Sequence, residues 1–293
     1  MITLPLPTEP FSYPETGTDS FSRLVQLSGT QILVHLIDAN PHRRVSQPPD
    51  VGLFCVSLSE TLAIQGWRVV HLWDDVWQHR FDVVLSRLRA LMGESVRIPG
   101  RVTQVRRIDR ATADSFLMAN HLQVSLPGKY RYGLFLPNRY YRVLPADFAP
   151  VLLPANQTEL LVAVATFAHP RVFAREAGPH RSFELLRFAN LLNTTVVGGM
   201  DKLLKAFAAD RAPEPGTTAD LMTYADRDWS DGQGYERLGF AKISHTEPMQ
   251  FWVKLGEWVR YPINRPPDEL TDYVLVWNAG SIKFVRLITA LSF

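Results

Sequence analysis

The spacing of apolar and polar positions outlines this chain before any single residue does. Residues 31–37 (QILVHLI) and 67–73 (WRVVHLW) are apolar runs of strand length. Between them, residues 51–66 place Leu53, Val56, Leu58, Leu62 and Ile64 on an imperfect helical face that stops at Gly66. Asp74 stands where a helix N-cap belongs, ahead of residues 76–92, in which Val76, Phe81, Val84, Leu85, Leu88 and Leu91 recur near helical spacing before Gly93. The first third therefore reads strand, helix, strand, helix, the order of a small α/β unit with adjacent strands. Further on, residues 109–123 predict a short helix, and 130–136 and 160–167 predict strands. Residues 182–192, with Glu184 and Arg187 three apart, fit a helix or a strand. Residues 202–209 predict a helix just after paired glycines, and 223–240 run from a strand end through a polar turn into a helix carrying Tyr235. Three more strands are expected at 250–253, 273–277 and 282–288, the last after an Asn278-Ala279-Gly280 turn. The proline-bearing lead-in 1–17, the stretch 38–50 and residues 211–218 read as irregular.

Composition changes this picture little. A chain of 293 residues is long enough for two domains, expected here at 1–96 and 97–293. Hydrophobic residues at 46% and charged residues at 20% are the balance of a soluble globular protein rather than a disordered one. The formal charge of +2 does not by itself demand nucleic acid, so such binding would need local clustering. Cys55 is the only cysteine, which excludes an internal disulfide and a cysteine-rich zinc site and fits a reducing, cytoplasmic setting. No stretch reaches the roughly 18 apolar residues of a membrane span, and the N-terminus lacks the basic start and apolar core of an export signal, so no membrane partner is expected.

Four groups of residues carry candidate chemistry. At Gly198-Gly199 the backbone amides around residues 198–200 suit an anion such as a pyrophosphate, with Lys202 and Lys205 adding charge; equally, two glycines simply let a strand turn into a packed helix. Neither GxxxxGK nor GxGxxG is present. The turn after residue 223 collects Tyr224, Asp226, Arg227, Asp228, Trp229, Ser230, Asp231 and Tyr235, and strand ends of this kind hold ligands in open α/β sheets. Its structural alternative is a capped turn with Asp226 and Asp228 paired to Arg227, Arg187 or Arg237. Trp229 favours function, since exposing an indole in a polar turn is costly. Arg97, Arg101, Arg106, Arg107 and Arg110, with Val102, Val105 and Ile108 between them, form either a phosphate-contacting strand or the wet side of one. Asp74 and Asp75, with Asp38, His35 and His42 upstream, read either as the remnant of a metal-dependent nuclease or as a helix start. The facing helix offers Cys55 and Leu58 and no lysine, so no metal is expected.

Residues 71–93 (HLWDDVWQHRFDVVLSRLRALMG) resemble phage and mobile-element homing-endonuclease-like proteins, whose front half is similar to very-short-patch-repair and PD-(D/E)xK nucleases. The segments ANHLQ, YGL, ELLRFANLLNTTVVGGMDKLLKAF and TYADRDWSDGQGYERLGF resemble the back half of the same proteins, so the likeness spans about residues 67–240. The back half also resembles the GNAT acyltransferase core and the Mom DNA-modification proteins that share it. That resemblance implies an α/β fold, a small nuclease-like domain followed by a GNAT-like mixed α/β domain. It places Val197, Gly198, Gly199 and Met200 at an acyl-CoA pyrophosphate, makes Tyr235 a general acid, and lines the site with Glu184, Arg187, Tyr224 and Asp226. The Arg/Gln-x-x-Gly-x-Gly/Ala order of the GNAT loop is missing. In the front half Cys55 and Leu58 stand where the nuclease relatives have His and Lys, which implies that this half no longer cuts DNA. The leading expectation is a protein that binds or modifies DNA. Its rivals are an acyl-CoA-dependent transferase acting on a small amine, and a non-catalytic interaction protein.

Overall fold

The computed structural model describes residues 2–13, 22–39, 50–146, 148, 158–175, 178–254, 256–257, 259–264 and 271–289. Most of the turn-rich stretch 38–50, including His42, lies outside them, as do residues 14–17 of the lead-in. In chain order the strands are β1 (Thr8–Phe11), β2 (Ser22–Leu27), β3 (Ile32–Ile37), β4 (Arg68–Trp73), β5 (Val96–Pro99), β6 (Gln104–Arg107), β7 (Tyr130–Pro137), β8 (Glu159–Phe167) and β9 (Arg171–Arg175). They continue with β10 (Gly178–Asn190), β11 (Thr194–Val197), β12 (Thr218–Asp226), β13 (Ala241–His245), β14 (Gln250–Lys254), β15 (Arg260–Pro262), β16 (Tyr273–Trp277) and β17 (Ser281–Ile288). The helices are α1 (Val51–Ile64), α2 (Asp74–His79), α3 (Phe81–Met92), α4 (Arg110–Asn120), α5 (Gly199–Asp210) and the single turn α6 (Gln233–Glu236). The fold class is mixed α/β, as expected. Two compact units emerge: residues 1–81, 224–236 and 242–284 form the first, and residues 82–223, 237–241 and 285–293 the second. Along the chain, β12 and β17 each pass from one unit into the other.

In the first unit, β1 to β4 form a sheet in chain order, antiparallel up to β3 and parallel between β3 and β4. The parallel pair needs a crossover, and α1 supplies it. Asp50 caps that helix by accepting the Leu53 amide at 2.9 Å, and Leu58 and Leu62 pack with Leu24, Leu33 and Val69 of the sheet. A second sheet, β15-β14-β16, is antiparallel throughout. Its Val253, Val274 and Val276 share a core with Ile37, Val51, Cys55 and Trp73.

The helix expected over 76–92 is two helices. Arg80, at φ −131°, breaks it. Asp74 is the first residue of α2 rather than its cap; the N-cap is Trp73, with no side-chain capping bond. The Asp74 carboxyl instead accepts the Ala39 amide at 2.9 Å and so ties the end of β3 to α2. Asp75 is buried and takes a two-pronged ion pair from Arg260, at 2.6 and 3.0 Å, which fixes β15 to the start of α2.

In the second unit the sheet runs β12-β10-β8-β7-β6, with β9 on the other edge of the first part of β10. All pairs are antiparallel except β10 with β12, which are parallel and joined by α5. A separate parallel pair joins β11 to β5. The helix α4, capped by Asp109, sets Ala113, Phe116 and Leu117 against Val164 and Ala189. Phe207 of α5 stacks on Phe167 at a ring separation of 3.9 Å and meets Tyr130, Tyr132 and Phe183 edge-on. This aromatic cluster is what holds the crossover helix on the sheet.

Two outcomes follow. Phe207→Ala should remove about 3–5 kcal/mol from the second unit in urea unfolding, and a loss below about 1 kcal/mol would contradict this packing. The Asp74 carboxyl is pushed up to about 7, first by burial and then by the neighbouring Asp38 and Asp75. Its proton is thus held more tightly in the folded state than in the unfolded chain, so its contribution to stability is lost as pH rises from about 4 to about 7. Asp74→Asn keeps the oxygen that accepts the Ala39 amide and should flatten that part of the melting-temperature profile; a slope as steep as that of the parent would refute the assignment.

Candidate cofactor site beside a parallel strand pair

The parallel ladder between β10 and β12 runs from His180 opposite Thr218 to Glu184 opposite Met222. Its start is pinned by His180, whose ring contacts Thr218 Oγ1 at 2.7 Å and Asp220 Oδ2 at 2.9 Å. The last tie across the pair is the Thr223 hydroxyl, donating to the Leu185 carbonyl at 3.3 Å. Beyond it, β10 continues to Asn190, paired with β8 on its other edge after a register shift between Leu185 and Arg187. On the β12 side, that last part of β10 has no ladder partner among the described residues. The carboxyl ends of parallel strands are where open α/β sheets accept ligands.

The turn leading into α5 follows the same strand. Gly198 sits at its N-cap in the left-handed region at φ 73°, with open space where a Cβ would be. Val197 is 43% exposed and Gly198 is exposed, whereas Gly199 packs on Val196 and Leu134. The first-turn amides of Gly199, Met200 and Asp201 have no acceptor within the helix, and the helix dipole adds partial positive charge there. One side of the turn is covered: a Cβ on Gly100 would come within 2.6 Å of the Val197 carbonyl, so β5 and the turn approach backbone to backbone. Lys202 is not part of an anion site. Its ammonium donates to the Gly100 carbonyl at 3.0 Å and to the Thr103 carbonyl at 2.5 Å. Lys205 pairs with Asp201. The charge expected from both lysines is therefore spent on structure, and what remains at the turn is amides and dipole.

Glu184 is half-buried at the last paired position of β10, where the two strands part. Arg187 donates to the Val124 carbonyl at 3.0 Å and the Leu186 carbonyl at 2.7 Å, which fastens the segment after α4. Tyr224, Asp226 and Tyr235 belong to the other unit. There Tyr224 is exposed, and Tyr235 lies 5.6 Å from the Phe284 ring. Asp226 accepts the Asp228 amide at 3.0 Å, the bond of a tight turn. Trp229, whose cost of exposure argued for a functional turn, is only 5% exposed, so that argument falls. The ion pairs expected of this turn are also different: Arg227 pairs with Glu60, and the buried Asp228 accepts the Ala279 amide. Burial, then the nearby Asp226, pushes the Asp228 carboxyl well up.

The five arginines of residues 97–110 are all exposed, yet they do not form an open cationic stripe. Arg106 pairs with Glu159 and covers the Phe135 ring, Arg107 pairs with Asp210, and Arg110 pairs with Asp114. Arg97 and Arg101 lie on β5 and in the turn after it. In the front half, Cys55 and Leu58 are both 2% exposed inside the core, out of reach of any phosphodiester.

No family model and no curated protein matches this chain. Among solved structures it is similar to Arabidopsis thaliana NAA60 in complex with acetyl-CoA, with a TM-score of 0.38 and 10% identity over 64% of this chain and 99% of that one. It is also similar to the ribosomal-protein-S18-alanine N-acetyltransferase from Escherichia coli, with a TM-score of 0.33 and 13% identity over 65% of this chain and 99% of that one. A third similar structure is the IAA acetyltransferase from Bacillus cereus, with a TM-score of 0.31 and 14% identity over 63% of this chain and 99% of that one.

Proposed function

We propose that the second unit is an acyl-CoA-dependent N-acyltransferase acting on a small amine. The observation that carries this reading is the parting of β10 from β12 after Glu184 and Met222, in the unit whose next helix opens on an exposed glycine turn. A pyrophosphate suits the first-turn amides of α5, with Val197, Gly198, Gly199 and Met200 as the cradle. The β12-side edge of β10 beyond Leu185, which has no ladder partner among the described residues, suits the amide-bearing arm of the same cofactor, by the hydrogen bonding through which a sheet edge takes an added strand. When bound, acyl-CoA supplies a thioester activated toward amines. Glu184, half-buried where the ladder to β12 ends, would take a proton from the substrate ammonium and leave the amine nucleophilic.

The nucleic-acid reading has less support, because Arg106, Arg107 and Arg110 already hold carboxylates. For the front half we infer loss of nuclease activity, since a buried thiol and a buried leucine stand at the expected catalytic positions.

Coenzyme A should raise the melting temperature of the full chain, by the equivalent of about 2.7 kcal/mol at a hundredfold excess over its dissociation constant. Gly198→Ala forces a side chain into the left-handed region, costs about 1–2 kcal/mol and should abolish the shift. Gly216→Ala, at φ 75° in a loop with equal space, carries the same strain and should leave the shift intact. No shift in the parent, or equal shifts in both variants, would refute the cofactor assignment. Incubation of the full chain with duplex DNA and Mg²⁺ should leave the DNA uncut, and specific cleavage would overturn the inference about the front half.

A further inference from the structure

In the first unit, the parallel register of β3 and β4 sets His35 directly opposite His71. Register partners share a face of the sheet, and here α1 brings Cys55 to both of them. The His35 and His71 Nδ1 atoms are 2.9 Å apart, and Cys55 Sγ lies 4.0 Å from His35 Nδ1. One nitrogen or sulfur atom from each of the three residues falls within 4.8 Å of the others. The three are 0%, 1% and 2% exposed for His35, His71 and Cys55. One turn along α1 from Cys55, Ser59 Oγ lies 2.7 Å from His71 Nε2.

Cys55 belongs to an apolar cluster with Ile37, Val51 and Trp73, a second cluster of the same unit holds Leu33, Leu58, Leu62 and Val69, and the buried Asp228 carboxyl is near enough to act on the Cys55 thiol. Two imidazoles and a thiol cost more to bury here than aliphatic groups of the same size would. We infer that His35, Cys55 and His71 are the protein ligands of one buried transition-metal ion of borderline softness, with zinc as the reference ion. A thiolate with two imidazoles is a donor set that zinc accepts. Metal bonds of about 2.0–2.1 Å to nitrogen and about 2.3 Å to sulfur set tetrahedral edges of about 3.3 Å between nitrogens and about 3.6 Å between nitrogen and sulfur. The spacings of 2.9 and 4.0 Å each lie within about half an ångström of those edges, a change that small ring and χ1 rotations cover.

Ser59 completes the arrangement from behind. A proton on His71 Nε2, donated to Ser59 Oγ, leaves the Nδ1 lone pair facing the other ligands, as outer hydrogen bonds to metal-bound imidazoles do. Loading forms two metal–nitrogen bonds and one metal–sulfur bond. The Cys55 thiol releases its proton to solvent, and whichever ring holds a proton on Nδ1 in the 2.9 Å contact carries it on Nε2 instead. The ion would clamp α1 to both strands of the parallel pair within the first unit, and three protein ligands leave its fourth position to a water molecule.

The test uses the full chain, stripped with chelator and titrated with Co²⁺ as the probe, with zinc content measured on protein from zinc-replete growth. About one equivalent should bind, with a thiolate-to-cobalt charge-transfer band in the near ultraviolet and a raised melting temperature. Cys55→Ala is a small change in a buried position and should remove the band; Ser59→Ala should weaken binding by about 10- to 100-fold. A parent protein that binds no Co²⁺, binds it without the charge-transfer band, or keeps the band in Cys55→Ala would overturn the assignment. Should Cys55→Ala fail to fold, the parent's stoichiometry and spectrum decide alone.

Discussion

Strands of a sheet pair only as far as their registers and bulges allow, and where a ladder ends a backbone edge is left for another partner. In the second unit β10 meets that constraint. Its first part is held against β12 and pinned by His180 between Thr218 and Asp220, while its last part is paired with β8 after a register shift. The ladder to β12 ends at Glu184, and the register shift against β8 lies just beyond it. From there on β10 has no ladder partner on the β12 side among the described residues, in the unit where α5 begins on an exposed turn, and the proposed cofactor chemistry depends on that arrangement.

Much of the polar inventory is consumed by architecture. Lys202 bonds the carbonyls of Gly100 and Thr103, Arg187 fastens the segment after α4, and Arg107 joins Tyr132 to Asp210. The buried Asp75 pairs with the half-buried Arg260 in the first unit. Buried charges persist only when paired in this way, and a paired charge is a poor ligand for anything else. The groups left for chemistry are therefore few: the first-turn amides of α5, Glu184 at the strand parting, and the buried trio of His35, Cys55 and His71.

How legible each part was in the sequence depended on how local its determinants are. The runs at 31–37 and 67–73 and the helices that follow were readable from periodicity, as were the strands at 130–136 and 160–167. Residues 182–192 were ambiguous because the bulge after Leu185 interrupts the alternation that marks a strand. The short pair β5 and β11 carried too few residues to show a period. Side-chain roles were less legible than elements, because a lysine after a glycine turn reads as an anion ligand whether or not a distant carbonyl has claimed it. Trp229 misled for the same reason, its burial being set by tertiary packing. The histidine pair did leave a signal that went unused: QILVHLI and WRVVHLW each carry a histidine two places before the end of the run, and parallel pairing in register brings the two together.

If the turn before α5 binds the phosphates of an acyl-CoA, amide exchange reads that contact directly. Hydrogen–deuterium exchange of the full chain with and without coenzyme A should show protection concentrated in peptides covering residues 197–202 and 184–190. Unchanged exchange in both segments at saturating coenzyme A, or protection confined to other parts of the chain, would contradict the account.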